Sequence, residues 1–170
     1  LAIHAALTGH IVLSTIHTNN AVGIIPRLID MKVDSFLLPS ALNLLISQRL
    51  VGRLCDNCKK PEEPSAPIAT IIREALKGIP KELAPKKESL SIYRAPGCEV
   101  CKGRGTTGRV ALYEVFHMTP EMEDIILANP TPQKILVEAK RQGMITMRED
   151  GILKALDGLV QIEEVLRETE

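Results

Sequence analysis

Four cysteines, arranged as Cys55-Asp56-Asn57-Cys58 and Cys98-Glu99-Val100-Cys101, are the only cysteines in the chain. Two C-x-x-C pairs supply four soft thiolates, the ligand set of a closed tetrahedral zinc site. Thirty-nine residues separate the pairs, so one ion held by Cys55, Cys58, Cys98 and Cys101 would cross-link two distant knuckles and close a loop. A full four-thiolate shell leaves no open position, which makes such a zinc structural rather than catalytic. Four thiolates around Zn²⁺ leave a local charge of about −2. Lys59, Lys60, Lys102 and Arg104 stand beside the knuckles to offset it, and Gly103 and Gly105 let backbone N–H groups turn toward sulfur. An iron–sulfur cluster is the other metal reading of this ligand set, and four unpaired thiols the reading without metal. Paired C-x-x-C spacing points to a reducing compartment with bound metal rather than to disulfides.

A second stretch with chemical potential runs Thr8-Gly9-His10-Ile11-Val12-Leu13-Ser14-Thr15-Ile16-His17-Thr18-Asn19. The apolar, partly β-branched run Ile11–Ile16 predicts a buried strand. If that strand is parallel, its Ser-Thr-x-His-Thr end projects at the carboxyl edge, where open α/β sheets bind ligands. His17 there can donate a hydrogen bond to an anionic oxygen. At ~3.3 Å per residue, seven residues put His10 about 23 Å from His17, so the two cannot serve one phosphate group. With His17 at the site, His10 is structural or at an interface. His4 and His117 read as structural residues.

The elements that must position these groups form an α/β pattern. Leu1–Leu7 reads as the end of a helix broken at Thr8-Gly9. Polar His17-Thr18-Asn19-Asn20 offers caps for a helix over Ala21–Met31. A further helical stretch starts near Asp34 and is bent or broken at Pro39. Leu44–Val51 fits a strand or a helix end. The insert between the cysteine pairs opens irregularly at Pro61, Pro64 and Pro67, with a short helix over Ala69–Leu76 and a charged loop from Lys81 to Glu88. Leu90–Tyr93 and Arg109–Phe116 alternate as strands. Thr119-Pro120 and Thr131-Pro132 place a capping hydroxyl before a proline at the first helical position. Thr146-Met147-Arg148-Glu149 fits a capping box, followed by an apolar stripe through Ile152, Leu153, Leu156, Leu159 and Val160. Glu163–Glu168 closes a helical tail.

Composition bounds the rest. With 170 residues and 45% hydrophobic content the chain can bury a sizeable core. No apolar run approaches the ~18–20 residues of a spanning helix, and no basic n-region marks a signal peptide. Leu1 is no initiator methionine, so the natural N-terminus is expected elsewhere. The formal net charge of zero hides a basic excess before residue 117 and an acidic excess after it. Those are differently signed solvated faces, or an acidic tail that packs on a basic surface of its own or a neighbouring subunit. With no Trp, two Phe and two Tyr, the chain lacks a stacking platform for single-stranded nucleic acid. It also has no basic stripe for a duplex.

The stretch Leu7–Ala21 resembles the His box of the secretion ATPase superfamily, the hexameric motors of type II secretion and type IV pilus assembly. The resemblance continues through Pro26-Arg-Leu-Ile-Asp-Met-Lys-Val33 and Leu44-Leu-Ile-Ser-Gln-Arg-Leu-Val51. It takes in the tetracysteine insert of the secretion and pilus-extension branch, then Gly108-Arg-Val-Ala-Leu-Tyr-Glu-Val115 and the helical tail. No G-x-x-x-x-G-K-[ST] phosphate loop occurs in these residues, and neither does the acidic Walker-B-type strand. The resemblance therefore implies the C-terminal part of such an ATPase, starting just after Walker B and inactive by itself. It implies an α/β fold: the last part of a RecA-like parallel sheet (1–54), a zinc-binding insert (55–101), a return strand (102–116) and an α-helical C-terminal subdomain (117–170). It places His17 near the γ-phosphate, with Thr18 as a neighbour, and marks Gln48 and Arg49 as a signature facing nucleotide or an adjacent subunit. Structural Zn²⁺, with ATP and Mg²⁺ in the full-length protein, would be the cofactors. The partners would be a homo-hexamer and an inner-membrane platform protein, without nucleic acid, at a cytoplasmic location peripheral to that membrane. The alternative is a non-enzymatic zinc-containing module that docks a membrane-platform protein.

Overall fold

The computed structural model describes residues 1–85 and 90–169, and its elements divide between two compact units. The first unit takes Leu1–Ser47 and Glu114–Met144, the second Gln48–Tyr113 and Ile145–Glu170.

In the first unit, helix α1 (Ala2–Leu7) stops where Gly9 takes φ of +87°, as the Thr8-Gly9 break predicts. Residues 11–16 depart from expectation. They form no strand, and Ile11 and Leu13 are 96% and 95% exposed. A strand is held by paired backbone N–H and C=O groups, and no strand among the described residues lies alongside to pair them. Helix α2 (Ile24–Asp30) follows, shorter than the Ala21–Met31 pattern. Pro39 does not break the next stretch. A 3-10 turn at Ser35–Leu37 leads into α3 (Leu38–Ala41), and Pro39 sits in the first helical turn, where its missing N–H costs nothing. Helices α5 (Pro120–Ala128) and α6 (Pro132–Arg141) start as read: the Thr119 and Thr131 hydroxyls accept from the amides of Met122 and Lys134. Ile25, Leu38, Phe116, Met122, Ile126 and Ile135 are the largest side chains of this unit's core.

Strands β1 (Leu44–Leu54) and β4 (Thr106–His117) pair, which settles Leu44–Val51 as strand. Met118 N–H donates to the Asn43 carbonyl at one end, and Cys55 N–H to the Gly105 carbonyl at the other, so the strands run antiparallel. These bonds enclose 11 residues of β1 and 12 of β4, so β4 carries one extra residue, a bulge. Gly108, with φ of +79°, has the left-handed conformation that a glycine bulge uses.

In the second unit a strand missed in the sequence, β2 (Lys60–Glu62), pairs antiparallel with β3 (Ile92–Arg94), and Pro61 sits within it opposite Tyr93. Both sheets of the described residues are thus two-stranded and antiparallel, and no parallel pair occurs among them. Helix α4 (Ala66–Lys77) begins three residues ahead of expectation because Pro67 fits its first turn. Residues 81–85 of the expected charged loop form a turn and bend. The remainder of Lys81 to Glu88 lies outside the described residues. Helix α7 (Met147–Leu156) opens on the full capping box: Glu149 N–H donates to the Thr146 hydroxyl, and Thr146 N–H to the Glu149 carboxylate. Helix α8 (Ile162–Glu168) closes the chain. Val51, Ile72, Leu112, Ile152, Ile162 and Val165 fill the core, and the acidic tail engages its own unit. Glu163 pairs with Arg94 at 2.9 Å, and Glu164 accepts from Gly52 N–H at 2.9 Å. Among the described residues no helix is long and apolar enough to cross a membrane.

Candidate metal centre and the His17 segment

Strand geometry brings the two C-x-x-C pairs together. Cys55 follows directly on β1, and its N–H continues the ladder to Gly105, just ahead of β4. Cys58 closes a tight turn by donating its N–H to the Cys55 carbonyl, and Lys102 and Gly103 close the second knuckle onto the carbonyls of Glu99 and Cys98. Two glycines are obligatory here. A Cβ on Gly97 (φ +104°) would lie 2.5 Å from the Gly103 carbonyl oxygen, and one on Gly105 (φ +72°) 2.4 Å from that of Ala95.

The four Sγ atoms lie within 4.8 Å of one another. Cys55 to Cys98 is 3.9 Å, Cys58 to Cys101 is 4.0 Å and Cys98 to Cys101 is 3.7 Å. A tetrahedral thiolate shell with Zn–S of ~2.3 Å requires S···S of ~3.8 Å, so the cluster has the size of a four-thiolate metal shell, and all four cysteines are free thiols. Cys55 and Cys101 are buried, and Cys58 and Cys98 half-buried. Amide donors surround the sulfurs as such a shell needs. Cys98 N–H and Gly105 N–H reach Cys101 Sγ at 3.1 and 3.2 Å, and the Asn57 side-chain amide reaches Cys98 Sγ at 3.4 Å. The Cys101 backbone, then the Asn57 amide, hold the Cys98 thiol down to about 6, whereas burial pushes Cys58 up to about 12. A cation is what would hold all four ionised together.

The sequence expectation for charge compensation is met in part. Gly105 turns its N–H to sulfur, but Gly103 donates to the Cys98 carbonyl instead. Lys59 is engaged by Asp56 at 2.6 Å and by the Gly158 carbonyl at 3.0 Å, so it ties the first knuckle to the end of α7. Arg104 donates to the Cys101 carbonyl at 3.4 Å. Asn57 went unnoticed as a sulfur donor, although its place inside the first C-x-x-C was the available signal.

His17 is exposed on the irregular segment before α2, and Thr18 beside it is half-buried. The Thr18 hydroxyl donates to the Asn20 carbonyl at 3.0 Å, and the Asn20 side-chain oxygen accepts from Gly23 N–H at 2.8 Å. The polar cluster therefore folds the chain into α2 much as the sequence suggested. His10 is exposed and bonded through Nδ1 to the Thr8 hydroxyl at 3.2 Å. Gln48 and Arg49 are exposed on β1 in the second unit. Sequence reasoning also missed Glu114, a carboxylate buried in the first unit that accepts from Ala21 N–H at 2.8 Å.

A tetracysteine insert, the histidine-bearing segment and a capped helical tail in this order are matched by one protein family. The profile described as "Type II/IV secretion system protein" aligns with residues 1–167, and the chain belongs to this family. It is 39% identical over 171 residues to the type IV pilus assembly ATPase PilB of Myxococcus xanthus, covering 99% of this chain and 29% of that protein. It is 38% identical over 169 residues to type II secretion system protein E of Pseudomonas aeruginosa, covering 99% of this chain and 32% of that protein. Type II secretion system ATPase E of Vibrio cholerae is 37% identical, with 99% and 31% covered. The chain spans less than a third of the length of these three relatives.

Proposed function

We propose that this chain is the C-terminal portion of a hexameric ATPase that powers type IV pilus assembly or type II protein secretion. The observation that carries the reading is the near-complete alignment of the chain with ATPases named for those two systems. Within the motor, residues 11–16 join the parallel sheet of the longer protein, which buries the Ile11 and Leu13 side chains that stand in solvent here. His17 then lies at the sheet's carboxyl edge, with Thr18 beside it. Its imidazole N–H donates to a γ-phosphate oxygen and stabilises charge on the transferring phosphoryl group. Catalysis of this reaction rests on positioning and charge stabilisation, so one well-placed donor suffices for that part. Gln48 and Arg49 present their exposed polar ends to nucleotide or to the adjacent subunit.

Cys55, Cys58, Cys98 and Cys101 hold a structural Zn²⁺, supported by the S···S separations of 3.7 to 4.0 Å and the amide donors around sulfur. When bound, the ion supplies a cross-link and no open coordination position. We retain the division into residues 1–54, 55–101, 102–116 and 117–170 as core, insert, return strand and helical subdomain of the motor. The assembly works in the cytoplasm against an inner-membrane platform protein.

Phosphate release tests the reading. The full-length protein is expected to turn over ATP, whereas the 170-residue chain releases no phosphate above background. Turnover by the chain alone, abolished by His17→Ala, would overturn it.

A further inference from the structure

The inward row of β4 reads Leu112, Glu114, Phe116, so a carboxylate occupies a place between two core side chains. Glu114 is 6% exposed. A buried carboxylate is costly unless hydrogen-bonded, and the bond it makes is specific. Its Oε2 accepts from the backbone N–H of Ala21 at 2.8 Å, a residue 93 positions away and itself 0% exposed.

Ala21 ends the segment that carries His17. Between them the chain is fixed by two local bonds, Thr18 hydroxyl to Asn20 carbonyl and Gly23 N–H to the Asn20 side chain. Those bonds shape the turn but do not place it, because both ends lie within residues 18–23. The Glu114 bond places it, tying the turn to a strand of the same unit.

We propose that Glu114 is a positioning residue for His17: through Ala21 N–H it fixes where the histidine-bearing turn sits, and so where the imidazole meets the phosphate. This rests on the reading of His17 as the phosphate-facing group. Glu114 touches no reacting atom. A misplacement of about 1 Å at a catalytic donor costs up to ~10²-fold in rate, so a loose turn is expected to slow turnover without weakening nucleotide binding.

Three substitutions in the full-length ATPase test this. Glu114→Asp keeps the charge and withdraws the acceptor by one methylene. Glu114→Leu removes it, and Glu114→Gln keeps an acceptor oxygen of the same reach. Asp and Leu variants are expected to exchange the Ala21 amide faster while β4 stays protected, and to lower kcat roughly 10- to 100-fold at unchanged KM for ATP. The Gln variant is expected to recover most of both. In a His17→Ala background, Glu114→Asp should cost nothing further, because it acts through the missing imidazole. The proposal is overturned by an unchanged Ala21 exchange rate or kcat in Glu114→Asp, or by a loss that adds in full to that of His17→Ala. A costly His17→Ala beside a silent Glu114→Asp overturns this proposal alone. A silent His17→Ala overturns the sensor reading and this proposal with it.

Discussion

Replacing Cys98 by Ser removes one of four sulfurs from a cluster in which Cys98 Sγ lies 3.9 Å from Cys55 and 3.7 Å from Cys101. Serine offers a harder oxygen donor on a shorter bond, and soft thiolates are what select zinc. The consequence scales with the chain the ion closes. A cross-link over a loop of about 40 residues removes ~4 kcal/mol of unfolded-state entropy by the chain-entropy relation. That is a large fraction of the ~5–15 kcal/mol that holds a domain folded. The damage should stay local. The core of the second unit is built on Val51, Ile72, Leu112, Ile152, Ile162 and Val165, none of them a ligand, and the first unit holds a separate core. Elemental analysis is expected to give one zinc per wild-type chain and close to none for Cys98→Ser after dialysis against a chelator. Amide exchange should rise at residues 55–62 and 92–105, with first-unit amides unchanged. Iron in place of zinc, or a Cys98→Ser protein with full zinc and unchanged exchange, would refute the reasoning.

Gly151 lies where α7 meets α8, and a Cβ there would stand 2.3 Å from Val165 Cγ1 and 3.1 Å from Leu112 Cδ1. Gly151→Ala is therefore expected to destabilise the second unit by ~1–3 kcal/mol through overpacking, exceeding its gain of up to ~1 kcal/mol in helix propensity. A urea midpoint at or above wild type contradicts this. Thr146→Ala breaks the capping box of α7 and should cost ~1 kcal/mol by the same assay, and an unchanged midpoint would show the cap to be idle. Glu138 is held below its ordinary carboxyl value of 4.5 chiefly by the Arg141 guanidinium, with Gln142 and Thr119 also donating, against opposing burial. A depressed folded value means stability present above about pH 4.5 and lost as pH falls through the folded value. Glu138→Gln should flatten this acid limb in melts run from about pH 3 to 7, and an unaltered limb counts against the pairing.

Local chemistry was legible in the sequence where it is self-contained. Thr119-Pro120, Thr131-Pro132 and the Thr146/Glu149 box set their helix starts as read, because donor and acceptor lie within three residues. The cysteine cluster was legible for a related reason, since four soft donors in two pairs have few other uses. Prolines misled twice: Pro39 and Pro67 were read as interruptions and instead occupy first helical turns, because a helix's first N–H groups have no partner to lose. The run Ile11–Ile16 has strand composition, but a strand needs neighbours, and no described strand pairs with it. Strand β2 was hidden because Lys60-Pro61-Glu62 has no apolar alternation and exists through its ladder to β3. Glu114 looked like one polar residue in an alternating strand, and only the tertiary contact with Ala21, 93 positions away, reveals that it faces inward.

The most direct test of the motor reading is the steady-state ATPase rate of the full-length hexamer carrying His17→Ala. Loss of one donor to the transferring phosphoryl group predicts a fall in kcat of about 10²–10³, or ~2.7–4 kcal/mol, with nucleotide affinity largely kept. An unchanged kcat in a folded, hexameric His17→Ala protein would contradict the account and return His17 to a structural role.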